Sequence, residues 1–170
     1  MVIVVMGVSG SGKTTVGRAL AGYLGWMFED ADAWHSPANI AKMRAGTPLS
    51  DADRKSWLMA LNRSLRSWVA AERNVVLACS ALRRSYRAAL ATGVPDRESL
   101  RFVFLQGTYE QIDRQLRTRT GHFMPEALLR SQFDTLEEPS AAEALGIAVG
   151  QPVDDMVRSI AAAFGLAARG

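Results

Sequence analysis

Residues 7–14 read GVSGSGKT, directly after the apolar run 2–6. The eight positions fit the G-x-x-x-x-G-K-[ST] pattern of a phosphate-binding loop, in the strand–loop–helix setting that pattern needs. Gly7, Gly10 and Gly12 let the backbone come close to an anion. The N–H groups of Val8, Ser9, Ser11 and their neighbours, with the helix N-terminus beyond, form a nest for phosphate oxygens. Lys13 can reach the outer phosphates, and the Thr14 hydroxyl, with Thr15 beside it, can serve Mg²⁺. These residues imply binding of ATP or GTP. They do not say what the nucleotide is used for.

A second cluster follows in FEDADAWH, residues 28–35. Asp30 and Asp32 lie two apart at the carboxyl end of a short apolar run, the edge of a parallel sheet where ligands bind. On an extended chain a period of two places both on one side, facing the phosphate loop. Such a pair suits two tasks. Asp30 would serve the metal's shell, and Asp32 would take a proton from an attacking hydroxyl. The plainer reading is that both cap a turn or a helix start.

Short apolar runs alternate with helical patterns, the signature of βαβ units and a parallel sheet. Strands are expected over residues 2–6, 26–29, 74–79, 101–105 and, more weakly, 146–149. Runs such as VIVVM and VVLAC are continuous, as strands buried on both faces should be. Helices are expected over 13–24, 51–71, 82–91, 109–117, 125–136 and 153–164. In the long one, Trp57, Leu61, Leu65 and Trp68 recur at helical spacing. Ser50 with Asp53 three residues on gives it a capping-box start. The expected order is 2-3-1-4-5, with helices on both faces. The third strand ends in Cys79 and Ser80 without an acid, so the metal's carboxylate must come from elsewhere, and Asp30 is the candidate. That favours a small-molecule kinase over a motor or switch ATPase. The polar stretch TRTGHF, residues 118–123, suits either a mobile lid or a plain loop between helices.

A chain of 170 residues reads as one domain with a real core. Its 48% hydrophobic and 22% charged residues are ordinary for a globular protein. A net charge of +3, with Lys and Arg scattered, gives no basic block for nucleic acid. The single cysteine, Cys79, excludes an internal disulfide and reads as a small buried hydrophobe rather than a reactive thiol. No apolar run approaches ~18 residues, and the N-terminal run lacks the flanks of a signal peptide. The expectation is a cytoplasmic chain with neither membrane nor nucleic-acid partners.

Longer blocks carry a family resemblance. DADAWHSPANIAKMRAGTPLSDADRKSWL (30–58), CSALRRSYR (79–87), RTGHFM (119–124) and SQFDTLEEP (131–139) follow GVSGSGKT in order. Together they resemble the gluconokinase family, the thermoresistant bacterial type. The resemblance implies ATP-dependent phosphorylation of the 6-hydroxyl of D-gluconate, with Mg²⁺. It also implies an α/β fold of the phosphate-loop, nucleoside-monophosphate-kinase-like kind. That fold would be a single kinase domain over 1–170, with a lid at about 118–127, commonly in a homodimer. Shikimate kinase shares the D-x-D logic but not these blocks.

Transferred residue by residue, the resemblance makes Gly7 to Thr14 the ATP loop, Asp30 the metal-side acid and Asp32 the base. His35, Arg54 and Arg83 would line the sugar-acid pocket. Arg119 and His122 fall in the lid motif, where an arginine can close over phosphates, and Gln132 just beyond it can reach the substrate. Some relatives carry aspartates near residue 150 where this chain has Ala148 and Gly150, so the adenine-side contacts stay unassigned. Other readings stand beside these. His35 could cap a helix beginning near Pro37. Arg54 could pair with Asp51 or Asp53 on its own helix, or offer a planar fork to a substrate carboxylate. One of Arg83 and Arg84 should face solvent. Trp26 and Trp34 read as packing residues.

Overall fold

A computed structural model describes residues 1–117 and 126–169. Five parallel strands form one sheet in the order β2-β3-β1-β4-β5. They are β1 (Val2–Met6), β2 (Met27–Asp30), β3 (Val75–Ala78), β4 (Leu100–Gln106) and β5 (Leu145–Ala148). β1 lies at the centre, with Val4 opposite Leu77 on one side and Phe102 on the other. Alternation along the strand then sorts the side chains to two faces. Ile3 and Val5 join α1 (Lys13–Leu24), α5 (Tyr109–Arg117), α6 (Glu126–Thr135) and α7 (Val153–Ala163) in one core. Val2, Val4 and Met6 join α3 (Asp51–Ala70) and α4 (Arg84–Ala91) in the other. Leu61 and Leu65 on the α3 stripe are fully buried. Burying each such leucine stabilises the fold by roughly 1.5–3 kcal/mol.

The layout matches the expected topology, and the boundary shifts have local causes. β2 starts one residue late because the Trp26 N–H donates to the Ala21 carbonyl at the end of α1. α4 starts at Arg84 rather than 82, because Ala81 sits at φ 43°, outside the helical region, and the Leu82 carbonyl accepts from Glu137 N–H. The Ser50–Asp53 capping box on α3 forms in both directions. The short helix raised near Pro37, α2 (Pro37–Arg44), starts on Ser36, whose hydroxyl accepts from Asn39 N–H. Pro37 occupies its first turn, where a missing N–H costs nothing. Among the described residues, no helix is long and apolar enough to cross a membrane.

Candidate active site

The phosphate loop joins β1 to α1. Gly10 and Gly12 take φ of 84° and 95°, a region other residues enter only with strain. Gly10 is also pinned by space, since a Cβ there would meet Leu116 of α5 at 2.6 Å. Lys13 Nζ donates to the Val8 carbonyl at 3.0 Å, keeping the amine over the loop. Thr14 and Thr15 are exposed on the first turn of α1, while Val8 and Ser11 are buried beneath the loop.

Asp30 and Asp32 do not share one side of an extended strand, as the sequence suggested. β2 ends at Asp30, and the chain turns into a 3-10 helix, Ala31–Trp34. Asp30 caps that turn, its Oδ1 accepting from Asp32 N–H at 3.1 Å. Its Oδ2 accepts from the Thr14 hydroxyl at 2.9 Å. The capping role and the loop-facing role thus fall on the same carboxylate. The turn separates the two acids: Asp30 sits against α1, and Asp32 opens onto a cavity of about 640 Å³.

A hydroxyl beside a carboxylate is the hard oxygen pair that Mg²⁺ takes, with water and substrate phosphates filling its octahedron. Thr14 and Asp30 fit that ion. Among the described residues no three His, Cys, Asp or Glu groups gather as a metal site, so an all-protein cage is not on offer there.

The cavity is bounded by Ser9, Gly10 and Lys13 of the loop, by Asp32, His35 and Arg54 opposite, and by Gln132 of α6. His35 is buried and stacks on Trp57, with centroids 4.4 Å apart and planes 13° from parallel. Trp57 is itself fixed by donating Nε1–H to the Ala31 carbonyl at 2.8 Å. Burial lowers the His35 pKa, and the Arg54 charge lowers it further against the opposing pull of Asp32. Its imidazole is therefore neutral at pH 7. Its Nδ1 is buried with no hydrogen-bond partner among the described residues. His35 ends the 3-10 turn and does not cap α2, which Ser36 does.

Arg54 pairs with neither acid of its own helix. Asp53 is taken by Lys42 at 2.7 Å and by the Ser50 cap. Asp51 is taken by Arg83 at 2.8 Å and by the Tyr86 hydroxyl. Arg54 instead donates to the Leu49 carbonyl and lies 5.6 Å from the Tyr86 ring centre. Among the described residues no carboxylate balances its charge. Arg83, expected on the pocket wall, leans from the start of α4 to Asp51 and is not part of the cavity lining. Arg84 faces solvent, with its side chain 75% exposed. Gln132 does not point freely into the cavity, for its Oε1 accepts from the Ser9 N–H at 2.6 Å. Arg119, His122 and most of the expected lid at 118–127 lie outside the described residues.

Sequence reasoning missed Arg44 on the cavity wall and the Asp51–Arg83–Tyr86 cluster that frees Arg54. It also missed Arg87, a buried guanidinium that donates to the Ala81, Leu82 and Glu137 carbonyls and so holds the C-S-A-L turn beside the phosphate loop. An arginine three residues beyond Arg84, on the inner stripe of α4, was the available signal. Cys79 is buried, and burial pushes its thiol pKa up to about 12, which leaves it inert at neutral pH.

A five-stranded parallel sheet with a phosphate loop, an acid pair at the next strand end and a cation-lined cavity defines a phosphate-loop kinase for small molecules. A family described as AAA domain matches residues 2–139. Thermoresistant gluconokinase of Escherichia coli (strain K12) is 41% identical over 160 residues, covering 93% of this chain and 90% of that protein. A probable gluconokinase of Xenopus tropicalis is 50% identical over 155 residues, covering 84% and 82%. The crystal structure of a gluconokinase from Sinorhizobium meliloti 1021 superposes with a TM-score of 0.87 at 45% identity, covering 96% of this chain and 90% of that one. The chain belongs to the gluconokinase family.

Proposed function

We propose that the chain transfers the terminal phosphoryl group of ATP to the 6-hydroxyl of D-gluconate. The observation that carries this reading is the one cavity shared by the phosphate loop, Asp32 and the Arg54 guanidinium, which forms no ion pair with a carboxylate among the described residues. Arg54 is the group for the substrate carboxylate, since a planar fork can hold it in two parallel hydrogen bonds. His35, neutral and clamped on Trp57, offers a ring nitrogen to the polyol hydroxyls, and Gln132 borders the same space. Arg83 supports Arg54 indirectly by occupying Asp51.

The expected transfer is in line. The 6-oxygen forms a bond to the terminal phosphorus as the bond from that phosphorus to the bridging oxygen breaks. The hydroxyl proton passes to Asp32, and ADP leaves. The loop N–H groups and Lys13 neutralise the oxygens as charge develops, which is electrostatic stabilisation by groups already in place. Mg²⁺, held beside Thr14 and Asp30, would supply charge neutralisation and orientation of the phosphates. In the same reading residues 1–170 act as one kinase domain, in a homodimer, in the cytoplasm, with neither membrane nor nucleic-acid partners.

The position of transfer is the direct check. In a proton-coupled phosphorus NMR spectrum of the product of ATP and gluconate, a 6-phosphate couples to the two diastereotopic C6 protons and appears as an apparent triplet or a doublet of doublets. A doublet would place the phosphate on a secondary hydroxyl and contradict the assignment of the 6-hydroxyl.

A further inference from the structure

We infer that Gln132 competes with the terminal phosphate of the nucleotide for the Ser9 N–H, and so ties α6 to the occupancy of the phosphate loop. The inference rests on the phosphate-loop reading alone and not on which sugar acid is phosphorylated. Three observations carry it. The Ser9 N–H donates to Gln132 Oε1 at 2.6 Å, across 123 residues of sequence, so this is a tertiary contact and not a local turn. Ser9 and Gln132 both line the cavity that holds Lys13 and Asp32. Ser9 is the third residue of the loop, on the arm away from the start of α1, whereas Gly12 caps the helix itself.

The chemistry follows from donor counting. A loop of this kind binds phosphate through its backbone N–H groups. The helix start suits the inner phosphates, so an N–H on the opposite arm, in the cavity that Asp32 also lines, suits the one that is transferred. That N–H has one proton to give, and an amide oxygen already takes it. The side-chain amide must present oxygen and not nitrogen here, because its partner is a donor. A charged phosphoryl oxygen is the stronger acceptor, so it displaces Gln132. α6 then loses its polar tie to the loop, and the freed amide stays in the cavity where the acceptor hydroxyls bind. α5 rests on the same loop through Leu116 over Gly10. ADP, which lacks the terminal phosphate, leaves the Ser9–Gln132 bond in place.

The test is isothermal titration of the full chain with Mg²⁺ and either the β,γ-imido analogue of ATP or ADP, with no sugar acid present. Removing a neutral competitor in Gln132→Ala should tighten the analogue about three- to tenfold, the worth of one net hydrogen bond, and leave ADP within about twofold. Gln132→Glu keeps the shape, accepts more strongly and repels phosphate. It should weaken the analogue about tenfold or more and ADP by clearly less. Weaker or unchanged analogue binding in Gln132→Ala, or equal shifts for analogue and ADP, would overturn the competition. If Gln132→Ala does not fold, the Glu variant decides, and unchanged or tighter analogue binding there is the contrary result. A failure here leaves the gluconate reading standing, and a failure of that reading leaves these titrations valid.

Discussion

Lys13→Ala is expected to lower turnover by at least about 10²–10³-fold, the usual cost of removing one preorganised charge-stabilising donor, while the protein stays folded. The fold should survive because the side chain makes a loop contact and not a core one. Its Nζ bonds the Val8 carbonyl, and the methylenes are only partly buried. Loss of one such bond costs about 1 kcal/mol, a small part of a domain's stability. The loop conformation itself is set by Gly10 and Gly12 at positive φ and by the Ser11 N–H on the Val8 carbonyl, none of which needs the lysine. Turnover and thermal unfolding of the purified variant check this together. Near-normal turnover would mean that the loop does not act on the transferred phosphate.

The second large effect belongs to the acid pair, and the contrast within it is sharper than either variant alone. Asp32→Asn keeps the shape of the side chain and removes the proposed base. Turnover should fall by roughly 10²–10⁴-fold, with ATP affinity nearly unchanged, because Asp32 faces the cavity and not Thr14. Asp30→Asn should instead raise the Mg²⁺ concentration needed for half-maximal rate, because Asp30 is the acid that touches the Thr14 hydroxyl. It should also loosen the 3-10 turn, whose first N–H it caps. Measuring turnover, ATP affinity and Mg²⁺ dependence for both separates the roles. Loss of nucleotide binding in Asp32→Asn with turnover kept at saturation would exchange them. Unimpaired variants would make the pair structural only.

The parts of this site legible in the sequence are those fixed by local rules. The loop glycines answer to backbone geometry, the α3 stripe to helical period, and Ser50 with Asp53 to a cap that needs three residues of chain. The D-x-D pair was half legible. Its place at a strand end could be read, but the choice between an extended chain and a capped turn at Asp30 could not, because the pattern alone does not say where β2 stops pairing with β3. The least legible residues were those whose role depends on a distant partner. Arg54 is available to a ligand because Arg83, 29 positions on, holds Asp51, and Lys42 holds Asp53. Gln132 bonds Ser9 because the sheet order places α6 over the loop. Such pairings are products of topology, and side chains equally able to pair nearby give no sign of choosing far.

In the proposed reaction this cavity directs a phosphoryl group to a sugar acid and not to water or another hydroxy acid. ADP release, followed by a coupled assay in parallel with gluconate, shikimate and no acceptor, tests it most directly. Turnover with gluconate is expected to exceed both other arms by orders of magnitude, since of the three arms only gluconate carries both a primary hydroxyl for Asp32 and a carboxylate for Arg54 in the proposed reaction. Equal or faster release with shikimate, or release without an acceptor that gluconate does not raise, would contradict it.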